Sequence, residues 1–230
     1  FDHPSCLYGR NAACTARRGP GATLGEIEEF KTRRCENLQE LPIGRVLVTG
    51  GAGFIGSHIV DAALATGSEV AIVDNLSTGY EKNLNSQAQF FQADITDREA
   101  LEAVFAKFAP RYVIHHAAQI DVSRSVADPG HDAKVNIEGS INVLSASHKS
   151  GVRKVVYASS AALYGDPEYL PVDEDHPVSP LAPYGASKHT VEHYLKIFKS
   201  LYNLPYVALR YSNVYGPRQD AKGEGGVVAI

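Results

Sequence analysis

The stretch from Arg45 to Asp74 restricts the possible folds of this chain more than any other. Val46-Leu47-Val48-Thr49 is an apolar, β-prone run, and Gly50-Gly51-Ala52-Gly53-Phe54-Ile55-Gly56 is a glycine-rich turn. An amphipathic run, predicted as a helix over Ile55–Thr66, comes next. A strand that turns through glycines into a helix belongs to a βαβ unit, because a parallel partner strand needs a crossover to return the chain. That partner is the run Glu69–Val73, with Asp74 at its end. The alternation continues with predicted strands at Gln89–Ala93, Tyr112–His115, Lys154–Ala158 and Tyr206–Arg210. Predicted helices lie between them at Arg98–Phe108, Pro129–Lys149 and Tyr184–Leu201. The strands are continuously apolar rather than alternating, as strands covered on both faces must be. The expected fold class is α/β, a doubly wound parallel sheet with right-handed crossovers.

The glycine turn also implies a ligand. Gly50 permits the tight turn, Gly53 lets a pyrophosphate approach the backbone, and Gly56 lets the helix pack on the strand. The first helical residues, Phe54 and Ile55, carry N–H groups without intrahelical partners, and the helix dipole there favours an anion. Asp74 follows about 20 residues on, where a carboxylate accepts hydrogen bonds from an adenosine ribose. The same carboxylate repels a 2′-phosphate, so NAD is expected rather than NADP. Strand, turn, helix and acid together make the Rossmann arrangement.

A second pattern carries chemistry. In Tyr184-Gly185-Ala186-Ser187-Lys188 the i, i+4 spacing puts Tyr184 and Lys188 on one helix face. A phenol with a pKa of about 10 is a poor base at neutral pH, but an adjacent ammonium favours the phenolate. Lowering it to roughly 7 requires about 4 kcal/mol, which two close positive charges in a partly desolvated cleft supply. Lys188 also reaches the nicotinamide ribose hydroxyls in this reading. Ser159 and Ser160 close the strand run Lys154–Ala158, at the edge where open α/β sheets bind ligands. Ser160 is assigned to the reacting hydroxyl and Tyr184, with Ser159 as the lesser candidate.

Thr49-Gly-Gly-Ala-Gly-Phe-Ile-Gly-Ser-His58, Asp74-Asn75-Leu76-Ser77, Gln92-Ala93-Asp94-Ile95, Val113-Ile114-His115-His116-Ala117-Ala118 and Val135-Asn136 resemble the extended short-chain dehydrogenase/reductase family. The resemblance runs from about Arg45 to Ile230 and implies a bound NAD. It adds Asn75 to the cofactor set, places Asp94 and Ile95 beside the adenine, lines the cofactor with Ala117 and Ala118, and gives Asn136 a supporting role. Arg210-Tyr211-Ser212-Asn213-Val214-Tyr215-Gly216-Pro217 is similar to the family's substrate-facing segment, which implies Tyr211 and Ser212 beside the nicotinamide and Asn213 at a sugar diphosphate. Nucleotide-sugar dehydratases of this family carry an Asp-Glu pair directly after the serine. Here Ala161-Ala162 stand there, and methyl groups transfer no protons. Ser-Ser-Ala-Ala-Leu-Tyr-Gly resembles the 4-epimerases instead, which implies carbon-4 epimerisation of a nucleotide sugar such as UDP-glucose/UDP-galactose. The alternatives are a uronate or N-acetylhexosamine 4-epimerase, a decarboxylase, or a dinucleotide-binding fragment without turnover. The resemblance also implies a C-terminal sugar-nucleotide lobe, expected to be largely absent from a chain ending at Ile230, and pairing of two copies through Pro129–Lys149 and Tyr184–Leu201.

The remainder is less specific. A net charge of −4 lacks the basic excess that phosphate-backbone binding needs, so nucleic acid is not an expected partner. No apolar run reaches the roughly 18 residues of a membrane span, and a cytoplasmic location is expected. The chain contains no Met, even at position 1, and is expected to be a fragment or to begin unnaturally. Residues 1–43 are rich in Gly and Arg, hold Cys6, Cys14 and Cys35 in no zinc-like spacing, and show no period. They read as a disordered or non-native leader before a nucleotide-binding domain at 44–230. His115 and His116 read as packing and loop residues, and His176, His189 and His193 as surface residues. Asp173-Glu174-Asp175 reads as a solvated acidic run, and no metal site is expected. The stretch 161–183, without a period and broken by five prolines, reads as a functional loop. Deleting residues 1–43 should leave thermal stability and NAD binding nearly unchanged. A loss of more than about 2 kcal/mol in unfolding free energy would show instead that the leader docks on the domain.

Overall fold

The computed structural model describes residues 43–220. The leader expected to be disordered lies outside them, except for Ile43, whose N–H donates to Ser68 Oγ at 3.1 Å. Six parallel strands form one sheet: β1 (Arg45–Thr49), β2 (Glu69–Asp74), β3 (Gln89–Gln92), β4 (Tyr112–His115), β5 (Lys154–Ser160) and β6 (Tyr206–Tyr211). Their order is β3-β2-β1-β4-β5-β6, so the chain reverses direction across the sheet between β1 and β4. That is the doubly wound topology expected, and it opens a crevice at the carboxyl ends of β1 and β4.

Alternate strand residues bury on opposite faces. Val46, Val48, Val70 and Ile72 pack against Ile59, Val60 and Ala63 of α1 (Phe54–Ala65). Leu47, Val73, Val113 and Val155 face the other way. They meet Leu101 and Phe105 of α2 (Arg98–Phe108). Local signals set the helix ends. Asp97 caps α2 by accepting from Ala100 N at 3.0 Å, and Ala109 ends it in the left-handed conformation.

The expected helix over Pro129–Lys149 is corrected by the structure. It is three pieces: α4 (Pro129–Ala133), a π-helical turn (Lys134–Glu138) and α5 (Gly139–Lys149). The wide turn holds Asn136, whose carbonyl oxygen accepts from Ser140 Oγ at 2.5 Å. A further short helix, α3 (Val122–Ala127), was not expected. It begins at Asp121, whose carboxylate accepts from Arg124 N at 2.9 Å, and Asp128 caps α4 likewise through His131 N. The last helix, α6 (Pro183–Tyr202), starts on a proline at N1 and ends at left-handed Asn203.

One glycine contact controls how α1 meets the sheet. A Cβ on Gly56 would lie 2.1 Å from the Gly50 carbonyl oxygen, a distance no side chain tolerates. Gly56→Ala should therefore cost more than about 2 kcal/mol, read from the urea midpoint at unchanged slope. Gly130→Ala is the control. Its Cβ meets nothing closer than 3.5 Å, and it should be neutral or stabilising by up to about 1 kcal/mol.

Candidate active site

The crevice at the switch point is an open cleft with a cavity volume of about 180 Å³. Eleven residues expected at a cofactor line it: Gly50, Gly53, Phe54, Ile55, Gly56, Asp74, Asn75, Asp94, Ile95, Ala117 and Ala118. Gly50 has φ +73°, and a Cβ there would sit 2.6 Å from Ala117 N, so the turn and the loop after β4 share one contact. Gly53 stands at the N-cap of α1 and supplies no side-chain cap, leaving the first N–H groups of the helix for a ligand. The buried Asp74 carboxylate accepts from Ala52 N at 3.0 Å through Oδ2 and from Leu76 N at 2.8 Å through Oδ1. It therefore clamps the glycine turn as well as facing the cleft, and each oxygen keeps a lone pair for a hydroxyl. Asn75 Nδ2 donates to Asp94 Oδ2 at 2.7 Å. Burial works to raise the pKa of Asp94, but bonds from the Thr96 N–H and hydroxyl and from Asn75, with the charge of Lys134, hold it below the ordinary value.

Ser77, Thr78, Gly79 and Ile120 also line the cleft and were missed as site residues. The signal for three of them was the run of small residues directly after the acid at the end of β2. This loop folds back on the glycine turn, with Tyr80 N donating to Ala52 O at 3.1 Å.

The titratable group assembles on the other half of the sheet. The β5–β6 register pairs Ser160 with Tyr211, and β5 runs two residues beyond the expected Ala158. Ser159 is buried and donates to Glu192 Oε1 at 2.6 Å, so its hydroxyl is already engaged. Half-buried Ser160 accepts from Ala162 N at 3.1 Å, which leaves its own hydrogen to donate. Tyr184 and Lys188 lie one turn apart on α6, with Lys188 Nζ 5.9 Å from the Tyr184 ring centre and 5.1 Å from that of Tyr157. Lys188 is 4% exposed and donates to Ala158 O at 2.8 Å. Burial pushes its pKa down to about 8, and the charge of Asp132 opposes that fall. Gly185 lets α6 begin against the Ala161-Ala162 turn, since a Cβ would meet Ala162 O at 2.5 Å.

Asn136 lies behind the cleft rather than in its wall. Its Nδ2 reaches Gln119 O, Asp132 Oδ1 and Ser187 Oγ at 3.0–3.1 Å, and its Oδ1 accepts from Gln119 N at 2.8 Å. Tyr211 faces His116, with its hydroxyl 3.3 Å from Nε2, and Ser212 and Asn213 are exposed just past β6.

The histidines divide. His115 is buried, and its two nitrogens have fixed roles. Ser140 Oγ gives its hydrogen to Asn136 O, so it accepts from His115 Nε2–H at 2.9 Å. Nδ1 then accepts from the Thr49 hydroxyl at 2.6 Å, while Thr49 Oγ1 accepts from His116 N and Ala117 N. His176 is not the surface residue expected. It is 3% exposed, accepts from Glu168 N at 2.9 Å, donates through Nδ1 to Pro177 O, and packs on Tyr164 and Tyr169. It is the centre of the proline-rich loop, whose Asp173, Glu174 and Asp175 are exposed. His193 is exposed as expected, and His189 is half-buried.

The model of the NAD dependent epimerase/dehydratase family matches residues 46–230. The chain belongs to that family. A putative UDP-glucose 4-epimerase of Methanocaldococcus jannaschii is 52% identical over 186 residues, covering 80% of this chain and 61% of that protein. The UDP-glucose 4-epimerase of Thermus thermophilus, solved in complex with NAD, is 52% identical with a TM-score of 0.78. A UDP-N-acetylglucosamine 4-epimerase of Methanobrevibacter ruminantium, in complex with UDP-N-acetylmuramic acid, is 42% identical with a TM-score of 0.75. Both structures cover 80% of this chain, and this chain covers 60% of each. The chain therefore spans about three-fifths of the relatives it matches. Among the described residues, no helix of this family member is long and apolar enough to cross a membrane.

Burial gives this epimerase/dehydratase family member a measurable pH response. Desolvation, with the charge of Lys188, pushes both His115 and His116 down to about 3. Unfolded histidines protonate below about pH 6.5, while these stay neutral when folded. Stability held above pH 6.5 is thus lost as pH falls, at about 1.4 kcal/mol per pH unit for each ring. His116→Phe should reduce the slope of unfolding free energy between pH 6 and 5 by about that amount per unit. An unchanged slope would mean that His116 protonates in the folded chain.

Proposed function

We propose that this chain carries the cofactor-binding and proton-transfer portion of an NAD-dependent nucleotide-sugar 4-epimerase. The observation that carries this reading is a buried Lys188 beside Tyr184, next to Ser160 and a turn made of two alanines. Family membership and the named relatives support the reaction class.

The residues present fit a dinucleotide. The uncapped start of α1 would hold the pyrophosphate, and the cradle at Gly50 and Gly56 tolerates no added side chain. Asp74 would take the adenosine ribose, with Asn75, Asp94 and Ile95 at the adenine end and Ala117 and Ala118 along the cofactor. When bound, NAD would supply a reversible hydride acceptor for carbon 4 of the sugar.

The chain's own part is proton chemistry and placement. Ser160 donates to the reacting hydroxyl and holds it towards Tyr184. Tyr184 takes the hydroxyl proton and later returns it, and the Lys188 ammonium favours the phenolate form in which it can do so. Lys188 would also hold the nicotinamide ribose. Ala161 and Ala162 offer no acid or base, so water elimination has no proton donor at that turn. Tyr211 and Ser212 would lie at the nicotinamide end, and Asn213 would take the sugar diphosphate.

UDP-glucose/UDP-galactose is the proposed substrate pair, on the names of the relatives. The second reading is a UDP-N-acetylhexosamine, which the Methanobrevibacter enzyme favours. In a chain extended to its relatives' length, Tyr184→Phe should cut interconversion at least about a hundredfold, with NAD still bound. Asp74→Ala should narrow a preference for NAD over NADP of at least about tenfold. Near-normal turnover of Tyr184→Phe, or release of a 4-keto-6-deoxy sugar, would refute the assignment. Parallel assays with the N-acetylated sugar decide between the two substrates.

A further inference from the structure

Lys188 is a buried cation, and a buried charge needs a counter-charge, because isolating it costs several kcal/mol. The groups facing it come from four elements. His115 and His116, from the end of β4, are held neutral by burial. Tyr157, from β5, has a buried hydroxyl without a partner, and burial pushes its pKa well up, so it too is neutral. On its own helix, Tyr184 is the proton-transfer group and Glu192 lies one turn on. Glu192 already has a cation: Arg210 forks onto it through Nε at 3.1 Å and Nη2 at 2.8 Å, and Ser159 adds a third bond. That leaves Asp132, from α4.

Asp132 is 1% exposed. Its Oδ1 accepts from two neutral amides, Gln119 Nε2 and Asn136 Nδ2, both at 3.0 Å, and its Oδ2 is enclosed with no partner. Asn136 Nδ2 also donates to the hydroxyl of Ser187, the residue before Lys188. The carboxylate is thus tied to the backbone turn that carries the lysine, yet no cation bonds to it directly. Gln119 extends the link to the loop that supplies Ala117, Ala118 and Ile120 to the cleft.

We propose that Asp132 is a positioning residue of this site: its buried carboxylate is the counter-ion that keeps Lys188 charged and in place beside Tyr184. The consequence for catalysis rests on the epimerase reading above, whereas the charge coupling is measurable without turnover. The shared amide of Asn136 makes the arrangement rigid, so the carboxylate acts through its field and its link to Ser187. Asp132→Asn keeps the shape and removes the charge.

The test is a carbon-detected NMR titration of this chain labelled in lysine, with Lys188 identified by its loss in Lys188→Gln. In Asp132→Asn the Lys188 midpoint should fall at least about one pH unit below its starting value near 8, and Asp132→Glu should recover part of the shift. A Lys188 midpoint within about 0.3 units of the parent in Asp132→Asn would overturn the proposal. If Asp132→Asn does not fold, Asp132→Ser is titrated in its place, and a Lys188 midpoint within about 0.3 units of the parent there overturns the proposal equally. Intact coupling in a full-length chain with no epimerase turnover would count against the reaction assigned above and leave this proposal standing.

Discussion

The first turn of α1 lies so close to the end of β1 that the Gly50 carbonyl occupies the space a side chain at position 56 would need. The direction of the helix follows from that approach, and with it the aim of its free N–H groups across the crest of the sheet. Asp74 closes the turn from β2 through Ala52, and the backbone of Ala117 closes it from the β4 side. Both halves of the doubly wound sheet therefore meet around one glycine. A change there disturbs the sheet crossing, the anion site and the loop wall of the cleft together.

Behind that surface the protein buries an unusual quantity of polar material. Thr49, His115, Ser140, Asn136, Asp132, Ser187 and Lys188 are all nearly inaccessible to water. A buried polar network stabilises only where its members are satisfied. From the Thr49 hydroxyl through His115 and Ser140 to the Asn136 carbonyl, every hydrogen has one direction. The satisfied part is a scaffold. Among the described residues four buried side-chain atoms lack a hydrogen-bond partner, His116 Nδ1, Asp132 Oδ2, the Tyr157 hydroxyl and His189 Nδ1, and the charge of Asp132 and the ring of Tyr157 act on Lys188. Incomplete satisfaction at Asp132 and Tyr157 lies around a buried cation.

The proline-rich loop shows how a surface-like sequence acquires an interior. His176 sits among charged and proline residues that carry no apolar period, yet it is buried between two tyrosine rings and holds the loop by both nitrogens. Arg210 pins the same loop by donating to Tyr164 Oη and Glu174 O while it binds Glu192 on α6. The loop is thereby fastened to the helix that carries Tyr184 and Lys188.

The strands themselves, the glycine turn, the acid after β2 and the Tyr184/Lys188 pair were legible in the sequence because each is a local pattern. Apolar runs, helical spacing and glycine placement are dictated by backbone sterics and burial within a few residues. Gly50, Gly53, Phe54, Ile55, Gly56 and Asp74 line the cleft for that reason, whereas Asn75, Asp94, Ile95, Ala117 and Ala118 were named from the family resemblance. The break at Asn136, the burial of His176, the engagement of Ser159 and the isolation of Asp132 were not legible. Each depends on a partner distant in sequence or on a third side chain: Asn136 with Ser187, Ser159 with Glu192, Asp132 with Gln119. The sequence by itself determined the six strands and the glycine turn between the first strand and its helix. Only the tertiary structure decided which serine is free, which carboxylate faces the lysine, and which histidine is neutral, because burial and charge compensation are properties of the assembled interior.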